Sequence, residues 1–379
     1  MIKQVYLDNA ATTPMAPEVV EVMLPVLRNQ FGNPSSTHSF GRKTRALIEV
    51  SRRNIARMLN SAPGEIFFTS GGTEADNMAI KGAIESIGIK HAITSTIEHH
   101  AVGHTLENYE KDNKIKLSHV KLKPDGHVDL QDLERLLQEN ERSFVSLMHA
   151  NNEIGNLLKL KEVGELCEKY DAVLHSDTVQ TMGHYPMDLE ELKVHFITAS
   201  AHKFHGPKGV GFLYIDSKLK IDPLIYGGSQ ERNMRGGTEN VYGIVGIAKA
   251  LEMALTDTDE HHQHVLGLKT YMIEQLRANV HDVSFHGDYD GQSLYTVLNV
   301  CFPESDKSEM LLFNLDIAGV GCSGGSACTS GSNKGSHVLN GIGADVLRPA
   351  VRFSFSRYTT KDEIDYALEQ VYKLFPVHA

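Results

Sequence analysis

From residue 41 onward, apolar runs of strand length alternate with longer stretches whose apolar residues recur at helical spacing. This alternation restricts the fold more than any other feature of the chain. The strand-length runs are 65–69, 91–95, 115–122, 144–149, 173–176, 194–199 and 210–215. Between them, 41–60, 75–87, 100–111, 130–139 and 161–170 carry one apolar and one polar face. Parallel strands need a long crossover, usually a helix. The pattern therefore predicts an α/β fold, with a mostly parallel sheet flanked by helices. Such sheets bind ligands in the crevice beyond the carboxyl ends of their strands. Thr73, His99, Asn152, Asp177 and Lys203 all follow predicted strands, so one crevice can collect them.

The chain has 379 residues, too many for one ordinary core. A charged, histidine-rich stretch at 256–262 marks the expected change of domain. Residues 15–255 are expected to form the large domain. Residues 1–14 and 256–379 are expected to form a smaller α+β domain, with helices near 263–279, 307–317 and 361–374 and strands near 294–301 and 350–355. The formal net charge of −11 disfavours binding to nucleic acid or to an anionic membrane, since both need a positive field. No apolar run is long enough to span a bilayer, and the first residues lack the apolar core of a signal peptide. Four cysteines without a CxxC pair make no disulfide framework, which predicts a reducing, cytoplasmic setting.

The segment Ser200-Ala201-His202-Lys203 places a lysine just after an apolar strand. A desolvated lysine loses its proton more readily and its amine can form an imine. Asp177 ends another apolar run and suits the ring nitrogen of pyridoxal 5′-phosphate, for which a lysine and an aspartate are the protein's two main contributions. Gln180 can donate to the ring's phenolic oxygen and His99 can stack on its face. Gly72 and Thr73 lie between a strand and a helix, where free N–H groups can take a phosphate, with Ser200 and His202 as further donors. His100 and His104 have helical ligand spacing, but no third ligand is evident and no metal is expected. Cys328 sits in a Gly- and Ser-rich stretch, 321–332, the composition of a mobile exposed loop. A cysteine there suits a nucleophile that moves between two places, whereas Cys167 and Cys301 fit core positions and Cys322 an unreactive thiol. Arg352, alternating with apolar residues, can fork onto a carboxylate.

Together these segments resemble the NifS/IscS-type cysteine desulfurases. The carrying motifs are Tyr6–Thr13, Gly32–Ser36, Thr69–Glu74, His149–Gly155, the lysine segment, Arg235–Thr238, Gly325–Ser330 and Arg352–Ser354. The resemblance implies a fold-type I enzyme using pyridoxal 5′-phosphate as a homodimer. Lys203 then forms the imine, His99 stacks, and Asp177 and Gln180 hold the ring. Gly72, Thr73, Ser200 and His202 hold the phosphate, with Thr238 reaching in from the second copy. Asn152 and Arg352 receive L-cysteine, and Cys328 takes its sulfur as a persulfide, releasing L-alanine. A sulfur-acceptor protein such as an iron–sulfur scaffold is the expected partner. Two departures stand out. Thr178-Val179 replaces the Ala-Thr often found between the aspartate and the glutamine, and the chain ends sooner after its last helix than IscS-type members usually do. Rival readings on the same frame are transamination, selenocysteine lysis and a noncatalytic binding protein.

Overall fold

The computed structural model describes residues 3–304, 310–324, 335–345 and 347–375. The chain opens with β1 (Val5–Tyr6), α1 (Pro17–Asn29), α2 (Ser39–Met58), β2 (Ile66–Thr69), α3 (Gly72–Lys81), β3 (His91–Thr94) and α4 (His100–Lys111). It continues through β4 (Lys116–His119), α5 (Leu130–Glu139), β5 (Ser143–Ser146), α6 (Leu160–Lys169), β6 (Val173–Asp177), α7 (Leu189–Leu192), β7 (Phe196–Ser200) and β8 (Gly211–Ile215). Then come α8 (Val241–Leu255), α9 (Thr258–Asn279), β9 (Ser284–Phe285), β10 (Val297–Cys301), α10 (Leu311–Ile317), β11 (Val320–Gly321), α11 (His337–Gly341), β12 (Ala350–Ser354) and α12 (Lys361–Leu374).

A seven-stranded sheet has the order β2-β8-β7-β6-β5-β3-β4. Its pairs are parallel except that β8 runs antiparallel to both β2 and β7. Successive residues of a strand point to opposite faces, and every strand of this sheet except the edge strand β4 is buried on both. Phe68, Ile93, Val145, Leu174, Ile197 and Phe212 join a core shared with α1, α2, α5, α6 and α8. Their chain neighbours Phe67, Ala92, Phe144, Val173, Phe196 and Leu213 join a second core on the other face, under α3 and α4. Continuous apolar runs are what a sheet sandwiched in this way requires.

A third core gathers Val5, Leu7 and side chains from α9, the sheet β12-β10-β9 and α12. Four helices, α1, α7, α8 and α11, are not among those read from the apolar alternation, although the Gly-rich stretch before α8 reads as a strand-to-helix transition. Helix α1 contains Pro25 and starts at Pro17, yet buries Val19, Met23 and Val26. Helix α8 is apolar nearly all round and packs through Gly246, where an added Cβ would stand 2.7 Å from the Met23 sulfur. The stretch at 256–262, expected as a connection or a helix start, leads into α9 at Thr258.

One charged residue interrupts the buried face of α2. Arg52 is fully buried among Ile48, Ile55 and Ala56. Both its terminal nitrogens bond the Glu231 carboxylate at 2.7 Å, and one also bonds the Ile66 carbonyl at 2.6 Å. Glu231 in turn accepts the Phe68 N–H at 2.8 Å, and the guanidinium lies 4.7 Å from the Phe68 ring centroid. Removing one partner of such a pair strands the other charge. Glu231→Ala is therefore expected to lower unfolding free energy by about 3–5 kcal/mol, measured by urea titration. An effect under about 1 kcal/mol, the range of exposed pairs, would show that the pair is solvated.

Candidate active site

Strand direction brings the candidate residues together. Strand β2 runs the same way as β3, β5, β6 and β7, so the carboxyl ends of all five face one edge. There β2 feeds α3, β3 leads to His99 at the start of α4, β6 ends on Asp177, and β7 ends on Ser200. A single 3-10 turn, Ala201–Lys203, follows β7. These ends line a cleft of about 280 Å³ that includes Gly72, Thr73, His99, Asn152, Asp177, Gln180, Ser200, His202, Lys203 and Arg352. Sequence reasoning placed all of these at one site. Thr238 lies elsewhere, exposed beside Arg235 and Gly237, and does not line this cleft. Cys328 lies outside the described residues.

The phosphate-type corner is built from backbone. Gly71 precedes α3 and offers no side-chain cap, so the first N–H groups of the helix keep their donor capacity. The chain comes very close to β8 here. A Cβ on Gly211 would meet the Gly71 Cα at 2.8 Å, so a side chain at Gly211 would push this turn away. Ser200 and His202 line the same cleft. His202 Nδ1 is 3.1 Å from Thr12 Oγ1, and burial first, then Lys203, lowers its pKa to about 4.

Asp177 lines the same cleft, and one of its oxygens accepts the Val179 N–H at 2.9 Å. Burial, then the nearby Asp76 charge, raises its carboxyl to about 6. His99 caps α4 by accepting the Ala101 N–H at 3.2 Å. Its pKa falls because burial outweighs the attraction of Asp177. Ligand atoms of Asp76, His99 and Asp177 lie within 4.8 Å of one another. Among the described residues, this is the one group of three or more such side chains drawn so close.

The Lys203 amine donates to the Ala10 and Ala11 carbonyls at 2.5 and 3.0 Å, and Gln180 Nε2 donates to the same Ala10 carbonyl at 3.0 Å. The lysine thus points under the segment that leads out of β1. Arg352 is 1% exposed, which excludes an outward-facing strand position. It donates to Asp8 Oδ1 at 2.8 Å and to the Asn152 carbonyl at 2.9 Å, while its Nε has no partner.

Several cleft residues were not singled out from sequence. Asp76 is one helical turn beyond Thr73, and helical period alone puts the two on neighbouring faces. Glu153 is buried, with Oε2 accepting from Ser336 Oγ at 2.5 Å and Oε1 unpartnered. His337 supplies a third imidazole near His100, with centroids 4.4 Å apart, and His104 stacks on His100 at 4.5 Å. Nothing in the spacing of His337 linked it to α4. The two core cysteines meet expectation: Cys167 and Cys301 are buried. Burial pushes the Cys167 and Cys322 thiols up to about 12, which suppresses their thiolate forms.

The sequence matches the aminotransferase class-V family over residues 5–367. The chain belongs to that family. It is 43% identical to a protein named cysteine desulfurase IscS from Dictyoglomus turgidum, covering 97% of this chain and 94% of the other. A solved structure titled NifS-like protein superposes with a TM-score of 0.91 at 36% identity, covering 98% of this chain and 99% of that one. Another, titled SspA in complex with cysteine, gives a TM-score of 0.80 at 30% identity over 94% of this chain and 100% of that one. The class-V frame thus extends through both the sheet and the β12-β10-β9 body.

Buried histidines give this class-V protein an acid limb. His175 is fully buried beneath the cleft, bonded to Ser146 Oγ at 2.8 Å and Thr198 Oγ1 at 3.1 Å, and burial lowers its pKa to about 4. The unfolded chain binds a proton near its ordinary pKa of 6.5, so His175 subtracts stability as pH falls from about 6.5 to about 4. His175→Asn should flatten the dependence of unfolding free energy on pH in that window by up to about 1.4 kcal/mol per pH unit. Denaturant titrations at pH 4.5, 5.5 and 6.5 read this slope. An unchanged slope would mean that His175 titrates normally in the fold.

Proposed function

We propose that this protein is a pyridoxal-phosphate-dependent cysteine desulfurase. It converts L-cysteine to L-alanine and leaves the sulfur as a persulfide on Cys328, for delivery to an acceptor such as an iron–sulfur scaffold. The observation that carries this reading is the meeting of Lys203 and Asp177 in one cleft of a class-V chain. Family membership and the names of its relatives give the reaction its direction.

The cleft suits the cofactor chemically. An uncapped helix start with Gly72 and Thr73, flanked by Ser200 and His202, fits a phosphate dianion. The buried Asp177 carboxylate in the same cleft fits a protonated ring nitrogen. When bound, the cofactor supplies an electron sink for negative charge developing at the substrate Cα. Lys203 holds it covalently, Asp177 keeps its ring nitrogen protonated, Gln180 reaches its phenolic oxygen, and His99 covers its face. Asn152 and Arg352, both lining the cleft, receive the substrate carboxylate. With substrate bound, the Lys203 amine would be placed to take the Cα proton. The Cys328 thiolate then attacks the substrate sulfur. A sulfur–sulfur bond would form as the carbon–sulfur bond breaks; the bonding pair would stay with the carbon skeleton, which would leave as alanine after gaining a proton at Cβ and regaining one at Cα from Lys203. The thiols of Cys167 and Cys322 are poor substitutes because burial keeps them protonated.

We assign the working unit as a homodimer. The apolar side chains of Leu27, Phe31 and Phe40 are exposed, Phe31 by 79%, and the two phenylalanine rings lie 5.3 Å apart. An apolar patch of this kind marks a protein contact. Thr238, exposed away from its own cleft, would then serve the cofactor of the second copy. Among the described residues no helix is long and apolar enough to cross a membrane, and a cytoplasmic setting fits the free thiols.

Three variants test this reading. Cys328→Ala should keep the visible absorbance of bound cofactor yet release no sulfide from L-cysteine with dithiothreitol. Full sulfide release would reject Cys328 as the acceptor. Lys203→Ala should lose the covalent absorbance and lower turnover by about 10²–10⁴-fold or more. Phe31→Asp should shift the protein toward monomer in sedimentation velocity, and an unshifted dimer would place the interface elsewhere.

A further inference from the structure

Asp76 has no role in the reading above, yet it sits in the same cleft. Its side chain is 1% exposed, and its Oδ1 has no hydrogen-bond partner. It belongs to the first turns of α3 but lies past the uncapped N–H groups that a phosphate would use. The nearest basic atom recorded for it is His175 Nε2, at 3.4 Å from Oδ1. That imidazole already spans Ser146 and Thr198, and burial keeps it neutral. The titratable groups facing Asp76 are Asp177 and His175 from β6, His99 and Glu98 at the start of α4, and Lys203 from the turn after β7. A carboxylate oxygen of Asp177 is within 4.8 Å of an Asp76 oxygen. Two carboxyls this close in a water-poor site cannot both ionise cheaply.

We propose that Asp76 is a positioning residue of the cofactor pocket: it keeps its proton, so the pair Asp76–Asp177 carries one negative charge, and that charge rests on Asp177 against the ring nitrogen. This inference rests on the cofactor reading given above. The division between the two carboxyls follows from their surroundings. Asp177 accepts a backbone N–H from Val179, which favours its anion, while Asp76 has the Thr198 hydroxyl beside it but, among the described residues, no backbone donor, and its Oδ1 makes no hydrogen bond. Burial raises both, Asp76 to about 7 and Asp177 to about 6, in the same order. As a neutral acid, Asp76 keeps a second anion away from the phosphate corner one helical turn before it. Above the pKa of Asp76 the pocket gains that second charge, and the ring environment changes.

The test uses holoenzyme labelled with carboxyl-¹³C aspartate. Infrared spectra at pH 6.5 should show an isotope-shifted carbonyl band of a protonated aspartic acid, lost in Asp76→Asn. The label separates this band from protonated glutamates such as Glu98. The wild-type cofactor absorbance should change as pH rises through about 7, and that step should be absent in Asp76→Asn, whose neutral amide matches the acid in shape and retains the cofactor. A wild-type spectrum without the protonated band, or a band that persists in Asp76→Asn, overturns the proposal. If Asp76→Asn does not fold, disappearance of the wild-type band with a midpoint near 7 supports the assignment, and a midpoint near 4 overturns it. If the wild type takes up no cofactor, the functional reading fails, and the same band in the cofactor-free protein still decides the proton on Asp76.

Discussion

The segment from Leu7 to Thr13 is the connection on which the rest of the site depends. Leu7 and Ala10 are tied to Ser354 on β12, through its backbone N–H at 2.7 Å and its hydroxyl at 2.9 Å. Three residues later, Thr13 bonds the His202 carbonyl at 2.8 Å through its N–H. Between these anchors the Ala10 carbonyl accepts from both Lys203 and Gln180. One short strap therefore joins the core around β10 and β12 to the carboxyl edge of the large sheet. Its bare carbonyls meet the lysine that the site needs. With the Arg352 bond to the Asn152 carbonyl, the strap holds Arg352 and Lys203 to one cleft.

The chemistry of the cleft is set by burial more than by ion pairing. Glu98 is raised to about 8, first by desolvation, while its oxygens accept from Ser95 and the Met148 backbone. His149, His175 and His202 are all lowered to about 4, again by burial first. The resulting pocket floor is largely neutral. A few ionisable groups stand out against it: Lys203, Arg352 with its Asp8 partner, and Asp177. A ligand with a cationic ring would meet Lys203 and Asp177 at separate places, and its substrate would meet Arg352, which gives the pair one orientation.

Most of the large sheet was legible because its signal is local. A central parallel strand must be apolar on both faces, and a crossover helix must be amphipathic, so each piece announces itself within a dozen residues. Helices α1 and α8 escaped for opposite reasons. The first carries two prolines, and the second lacks a polar face because α1 and α2 cover it. Lys203, Asp177 and His99 were legible because each follows a strand whose carboxyl end the fold must place at one edge. Asp76, Glu153 and His337 were not. Their proximity to the cleft comes from helix orientation and from contacts such as Ser336 to Glu153, which span 183 residues of chain.

The sequence by itself determined the α/β alternation, the cofactor-type lysine and aspartate, and the family to which their order belongs. These are properties of short segments, where period, burial and residue chemistry can be read directly. The tertiary structure alone decided which groups share a dielectric. It set two carboxyls together in a dry pocket, turned Arg352 inward onto Asp8 and Asn152, and sent Thr238 away from its own cleft. Protonation and partner choice depend on distance and desolvation through space, and neither is encoded in spacing along the chain.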